Sequence, residues 1–278
     1  MTPQPALIAD KGTGVLYRHW PAASADAVFL LVHGLGAHSA RWRFAADLLC
    51  QRGAALYAVE LRGFGESPGP RGHVDSFYKY YSDVSSLVAV IRRQHPGLKL
   101  FLLGESMGGL IAFGALIREP GLADGLVCMS PAFGNRLAFG ITDYIRFVYA
   151  LLFKPETPLT APFTPAMVTR DEEVQRFMDT DAREHRFATA ALLREILLAQ
   201  RQSMSSRQYC RVPVLFQLSG RDRLVDPAAA RRVFHILRCE DKTLLEYPEM
   251  YHALSVERGR EQVFTDIVEW YKERLRRV

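Results

Sequence analysis

The sequence predicts an α/β architecture: a mostly parallel, doubly wound sheet of about eight strands, interrupted once by an inserted helical cap. Three observations carry that expectation. Short apolar runs alternate with segments of helical periodicity, the pattern of a parallel sheet with helices on both faces. A Gly-x-Ser-x-Gly stretch stands between one such run and the helix that follows it. The alternation fails over a single stretch, 132–209, and then resumes.

The first strand is expected over Val15 to Trp20, followed by the very apolar Ala27 to Val32, then Ala54 to Glu60 and Lys99 to Leu103. Leu126 to Ser130, Val214 to Ser219 and Thr243 to Tyr247 complete the series. Several are continuous hydrophobic runs, as strands covered on both faces require. Helices are expected over Ala40 to Arg52, Ser76 to Gln94, Met107 to Arg118, Pro227 to Leu237 and Glu257 to Arg276. Asp226-Pro227 marks one helix start cleanly, with aspartate as N-cap and proline at the first helical position. Between Ala132 and Tyr209 no strand is expected. Leu137 to Phe153 is mostly apolar and aromatic-rich, four prolines fall within Pro155 to Pro165, and two amphipathic helices follow near Asp171 to Asp179 and Phe187 to Met204. Residues 1–131 and 210–278 therefore read as the core. Residues 132–209 read as a helical cap over the C-terminal edge of the sheet, where open α/β proteins place their sites.

A chain of 278 residues, 49% hydrophobic and 23% charged, is large enough for one such domain and excludes a disordered class. No run approaches the ~20 apolar residues of a membrane span, and the N-terminal stretch Met1 to Lys11 has no signal-peptide core. Cys50, Cys128, Cys210 and Cys239 lack metal-ligand spacing and read as free thiols in a reducing, cytoplasmic compartment. The net charge of +5 is dispersed, with only short clusters at Arg231-Arg232 and Arg274 to Arg277. Without a nucleic-acid motif or aromatic-basic interleaving, a nucleic-acid partner is not expected. Weak attraction to anionic membrane surfaces stays open.

Gly104-Glu105-Ser106-Met107-Gly108-Gly109 follows the apolar Leu100 to Leu103 and opens a helix. That context makes it a nucleophile elbow of the α/β-hydrolase type, a turn so tight that small residues must flank the serine. Serine at its ordinary pKa is a poor nucleophile, so it needs a base, and the base needs an orienting acid. In this fold the partners follow in the order serine, acid, histidine. Asp222 follows the Val214 to Ser219 strand and His252 follows the Thr243 to Tyr247 strand, so Ser106, Asp222 and His252 are the expected triad. Competing readings make Asp222 a turn residue and His252 an ordinary loop histidine. Asp226, close to Asp222, is better explained as the helix cap. His19, His38, His73, His95, His185 and His235 precede the acid or lie on helices, cap or surface loops. His33-Gly34-Leu35-Gly36 ends an upstream strand, and the backbone amides of Leu35 and Met107 are the expected oxyanion hole. His33 comes too early to be the base and reads as a brace for its turn.

Several segments together resemble the monoacylglycerol lipase and lysophospholipase family. They are His33 to Gly36, Leu61 to Ser67, Arg71-Gly72-His73, the Gly104 to Gly109 elbow, Ser219 to Asp226, Asp241 to Leu244 and Tyr251-His252. The resemblance runs from about residue 10 to 275, with the cap matching more loosely. It implies a serine hydrolase of monoacylglycerols, lysophospholipids or related single-chain esters, without metal or organic cofactor. It also implies an amphipathic cap that touches membranes and lines an acyl tunnel, a role that Leu137 to Phe153 fits as well as it fits an internal cap core. Arg41, Phe133, Phe147 and Tyr251 are the candidate substrate contacts. The chain departs from animal members at Ala37, where they carry an acid, at Ser255, where they carry a second histidine, and at Glu105, where a histidine is frequent. A short-chain carboxylesterase and a serine aminopeptidase are the rival enzymes. The peptidase would need cap carboxylates for a substrate ammonium, and Glu172, Glu173 and Asp179 have no distinctive arrangement. Dehalogenase and epoxide hydrolase chemistries need aspartate at the elbow, where Ser106 stands. A non-catalytic ligand receptor or scaffold is the alternative from another class.

Overall fold

The computed structural model describes residues 5–205 and 209–276. The first four residues, 206–208 of the expected cap, and Arg277 lie outside the described residues. Along the chain the strands are β1 (Ile8–Ala9), β2 (Leu16–Trp20), β3 (Ala27–Val32), β4 (Ala54–Val59), β5 (Lys99–Glu105), β6 (Gly125–Met129), β7 (Pro158–Thr160), β8 (Phe187–Thr189), β9 (Val214–Ser219) and β10 (Lys242–Tyr247). The helices are α1 (Arg43–Leu49), α2 (Phe77–Gln94), α3 (Met107–Arg118), α4 (Ile141–Phe153), α5 (Pro165–Val168), α6 (Glu172–Thr180), α7 (Ala190–Ser203), α8 (Pro227–Ile236) and α9 (Arg260–Arg276). An eight-stranded sheet has the order β1-β2-β4-β3-β5-β6-β9-β10. Only the β1–β2 and β2–β4 pairings are antiparallel.

Successive side chains of a strand point to opposite faces, which divides the core in two. Val28, Leu30 and Val32 of β3 pack with α2, α3 and α8 on one face. Ala27, Phe29 and Leu31 pack with α1 and α9 on the other. Every residue of β3, β4 and β9 is buried, which explains why they read as unbroken apolar runs. Phe29 stacks on Phe101 at 5.1 Å and meets Tyr271 edge-on at 5.3 Å, tying two strands to the last helix.

Most expected elements form within a residue or two of their expected ends. Ser76 caps α2 by accepting from the Tyr78 amide, and Asp226 caps α8 by accepting from the Ala228 amide. Three differences have physical causes. The expected helix Ala40 to Arg52 is a 3-10 turn over Ser39–Trp42, then α1, then a second 3-10 turn ending at Gly53 in the left-handed region. The two-residue β1 is too short to show periodicity and forms because β2 offers it an edge. The stretch between β6 and β9 contains a strand pair after all: β7 and β8 form an antiparallel two-stranded sheet. Each has three residues, and each finds its partner far along the chain, so neither shows in a local pattern. Phe187 to Thr189 was expected to be helical. Its strand pairing defers the helix to Ala190, with Thr189 as the cap accepting from the Leu192 amide.

Within that same stretch, α4 buries only Ala150 of its thirteen residues. Among the described residues no helix is long and apolar enough to cross a membrane.

Phe29 is fully buried. Its replacement by alanine is expected to cost ~3–5 kcal/mol, as aromatic truncations in tight cores do. Urea unfolding monitored by circular dichroism measures it, and a loss below ~1 kcal/mol would show that this face collapses around the gap.

Candidate active site

β5 ends at Glu105 and α3 begins at Met107, so Ser106 alone makes the turn between them. Its backbone stands at φ 57°, ψ −122°, in a region that a residue with a Cβ avoids. The flanking glycines permit it. A Cβ at Gly104 would lie 2.2 Å from the Gly108 carbonyl oxygen, and one at Gly108 would lie 2.0 Å from that of Val32. Both gaps are far inside van der Waals contact, so strand, turn and helix close only around glycine. Hydrogen bonds hold the turn: the Ser106 amide donates to the Met129 carbonyl at 3.0 Å, and its carbonyl accepts from the amides of Ala132 and Leu110.

Two further strand-end loops, after β9 and β10, bring Asp222 and His252 to this point. His252 Nε2 lies 2.9 Å from Ser106 Oγ, and His252 Nδ1 lies 2.8 Å from Asp222 Oδ2. The other Asp222 oxygen accepts from the amides of Leu224 and Val225, at 2.8 and 2.9 Å. The carboxylate is thus fixed in rotation and committed as an acceptor. Nδ1 must carry the imidazole proton toward Asp222, which leaves Nε2 free to accept from the serine hydroxyl. His252 and Asp222 are both buried. Burial by itself would push the imidazole pKa down. The Asp222 carboxylate, helped by Glu105, outweighs it, and the net direction is upward. Asp226 is occupied at its helix cap, as expected.

His33 braces its turn. Its Nε2 accepts from the Leu61 amide at 3.1 Å, and its Nδ1 donates to the Gly34 carbonyl at 2.9 Å. The turn runs so close to the elbow that a Cβ on Gly34 would sit 3.1 Å from that of Ser106. Leu35 and Met107 both line the cavity beside Ser106. The first amides of a helix lack an intrahelical acceptor, so the Met107 N–H is available to an incoming oxyanion.

The cavity has a volume of ≈ 410 Å³, within the usual range for small-molecule sites. Ser106 and His252 open into it. Its walls are largely apolar and come from the stretch between β6 and β9: Leu137, Phe139, Phe147, Leu159, Leu193 and Ile196. Two of the four expected substrate contacts, Arg41 and Phe147, line it. The other two do not. Phe133 is buried in the core instead, 5.1 Å from the Phe113 ring and stacked 5.7 Å from Phe216. Tyr251 faces away, its hydroxyl accepting from Arg223 Nη2 at 3.2 Å.

Other groups at the cavity escaped the sequence reading. Arg41 Nε lies 3.2 Å from Glu184 Oε1, a buried pair that joins the β3 loop to the inserted stretch. Burial pushes the Glu184 carboxyl up, against the pull of Arg41. His38, set aside as a base because it precedes the acid, is fully buried with Nε2 3.2 Å from Asp181 Oδ2. Burial pushes its pKa down to about 3. Nothing local in the sequence marks either pair, because the partners stand more than a hundred residues apart.

Comparison with known proteins identifies the family. Residues 23–259 match the Hydrolase_4 family, described as serine aminopeptidase, S33. The chain belongs to that family. It is 30% identical to the monoacylglycerol lipase of Mycolicibacterium smegmatis, over 95% of both chains. It is 28% identical to the human monoglyceride lipase, over 97% of this chain and 90% of the relative. The crystal structure of the Paleococcus ferrophilus monoacylglycerol lipase superposes with a TM-score of 0.82 at 25% identity, covering 92% of this chain and 97% of that one. The chain is an α/β-hydrolase acting on carboxylic esters, related to the monoacylglycerol lipases.

Neutral imidazole is the form able to take the serine proton, so kcat/KM should fall with acidity. Because the imidazole pKa is raised, the midpoint of that fall is expected above the ordinary histidine value of 6.5. Asp222→Asn should move the midpoint down while lowering the plateau by orders of magnitude, ~10⁴-fold where such a change has been made in a serine hydrolase. A pH-rate profile on p-nitrophenyl butyrate measures both, and a wild-type midpoint well under 6.5 would remove Asp222 from the account.

Proposed function

We propose that the chain hydrolyses single-chain lipid esters, monoacylglycerols or lysophospholipids, by two-step acyl transfer on Ser106. His252, oriented by Asp222, takes the serine proton as Oγ attacks the ester carbonyl. The oxyanion rests on the amides of Leu35 and Met107, each such donor contributing ~2.7–4 kcal/mol to transition-state stabilisation. His252 then hands the proton to the departing alcohol, and water repeats the sequence on the acyl-enzyme. One observation carries the reading: the hydrogen-bonded chain from Asp222 through His252 to Ser106 ends in a cavity whose walls are largely apolar. Residues 132–209 then act as a cap whose inner surface holds the acyl chain. The names of the relatives favour a monoacylglycerol head group.

An aminopeptidase would need a carboxylate free to receive an ammonium. The acids lining the cavity are Glu105, Asp143 and Glu184, and each is held by protein partners: Ser255, the Gly140 amide and Arg41. Glu172, Glu173 and Asp179 do not line it. Ester cleavage needs no such group.

The outward face of α4 supports a transient contact with lipid. Ile141, Ile145, Tyr149 and Leu152 recur at helical spacing and are exposed, Ile141 by 76% and Leu152 by 70%. Phe147 of the same helix lines the cavity, so the helix would present one side to a bilayer and the other to the acyl chain. The four cysteines are free thiols, which fits a reducing, cytoplasmic setting.

Ser106→Ala should abolish turnover of p-nitrophenyl esters with the circular dichroism spectrum unchanged. Across an ester series the expected gain is ~0.8 kcal/mol, about fourfold in kcat/KM, for each methylene that enters the cavity. A sharp optimum at acetate or butyrate would favour a short-chain carboxylesterase, and absence of turnover on every ester a receptor or scaffold. Sedimentation with phospholipid vesicles tests the lipid contact. The double variant Ile145→Glu, Leu152→Glu should lose vesicle binding while keeping activity on a soluble butyrate ester, and undiminished binding would assign the contact elsewhere.

A further inference from the structure

Glu105 is the residue before Ser106 and Ser255 stands three beyond His252, so the two flank the nucleophile and its base. They are also two of the positions at which the chain departs from animal members of the resembled family. In the structure the two departures are one feature. The Ser255 amide donates to Glu105 Oε1 at 2.9 Å and the Ser255 hydroxyl to Oε2 at 2.7 Å. Both residues are buried, and Glu105 lines the cavity. An isolated carboxylate in such a place is strongly disfavoured: burial pushes the Glu105 carboxyl up, and the two hydrogen bonds from Ser255, with His252 and Arg41, pull the other way.

The charged groups facing His252 are Asp222, Glu105 and Arg41, and those facing Glu105 are His252 and Arg41. Of these charged groups, Asp222 is the one hydrogen-bonded to the imidazole. Glu105 acts through space, in a buried site where screening by water is weak. The other anchors of the His252 loop lead away from the serine turn: the Ser219 hydroxyl lies 2.6 Å from the Tyr251 carbonyl oxygen and 3.3 Å from that of His252, the Ala253 amide donates to the Val168 carbonyl, and the Tyr251 amide to Glu257. The pair between Glu105 and Ser255 is therefore a direct strut between the serine turn and the histidine loop, separate from the reacting hydrogen bond itself.

We propose that Glu105 is a positioning residue for the reaction: clamped by Ser255, it holds the histidine loop against the serine turn and offers a second negative charge to the imidazolium that forms as His252 takes the Ser106 proton. This rests on the reading of Ser106, Asp222 and His252 as the reacting groups. Glu105→Gln separates charge from shape. The amide oxygen still accepts from the Ser255 N–H, and the amide nitrogen donates to the Ser255 hydroxyl, so the strut survives while the charge is lost.

The test follows the rate of covalent labelling of Ser106 by a fluorophosphonate from pH 5 to pH 9, for wild type, Glu105→Gln, Ser255→Ala and Ser255→Thr. In Glu105→Gln the acid-limb midpoint is expected to fall by about half a pH unit or more, with a plateau about tenfold lower. Ser255→Ala keeps the charge and loosens the clamp: a several-fold lower plateau at an unmoved midpoint is expected, restored by Ser255→Thr. A Glu105→Gln profile superimposable on wild type, or a midpoint that rises, overturns the proposal. If Glu105→Gln does not fold, Ser255→Ala decides, and a wild-type plateau there overturns the clamp. Failure of the wild-type protein to label at all would sink the Ser106 reading itself, whereas wild-type labelling with an unshifted Glu105→Gln profile sinks only the role of Glu105.

Discussion

A single serine held in a backbone conformation it disfavours is the constraint on which the site depends. Positive φ at a residue with a Cβ is unfavourable by about 1–3 kcal/mol and persists only where surrounding structure over-determines it. Here the over-determination is visible: β3, β5 and α3 converge so closely that no Cβ fits at Gly104 or Gly108. The strain lifts Oγ clear of the sheet edge and leaves the helix N-terminus beneath it, with unpaired amides where negative charge would develop. Relaxing that turn would lower the serine into the strand and separate it from His252.

Around this turn the sheet acts as a jig. β5, β9 and β10 are parallel or in parallel succession, so their C-terminal ends share one edge, and each contributes one member of the relay from there. Asp222 and His252 need no long side chains to reach Ser106, because the sheet has already set the loop origins within reach. The electrostatics follow from burial. A buried imidazole would ordinarily become a weaker base. The fixed, doubly bonded carboxylate of Asp222 reverses that, and so keeps a base of useful strength in a site shielded from water.

The stretch between β6 and β9 obeys different physics from the core. It spends its apolar residues in two directions, toward the cavity through Phe147, Leu159 and Ile196, and toward solvent through the outer stripe of α4. A helix with one buried residue in thirteen contributes little to folding stability on its own. The outer stripe and Phe147 stand on opposite sides of one helix, so the same element borders solvent and the cavity.

The core was legible because its determinants are local. Unbroken apolar runs mark strands covered on both faces, the glycines around Ser106 mark a turn nothing else can make, and Asp226-Pro227 marks a helix start. The order of Ser106, Asp222 and His252 on successive strand ends was readable for the same reason, since parallel topology turns sequence order into spatial proximity. What stayed hidden involves partners distant in the chain. The pairing of β7 with β8, the ion pair of Arg41 with Glu184, the burial of His38 and the bond between Glu105 and Ser255 have no local signature. Side-chain direction was equally beyond reach: Phe133 and Tyr251 sit beside the right loops and point away from the cavity. By itself the sequence determined the architecture, the elbow and the order in which Ser106, Asp222 and His252 follow their strands. Tertiary packing alone decided what surrounds them, because a buried polar side chain takes its partner from whatever the fold brings within about 3 Å, and that choice is written nowhere along the chain.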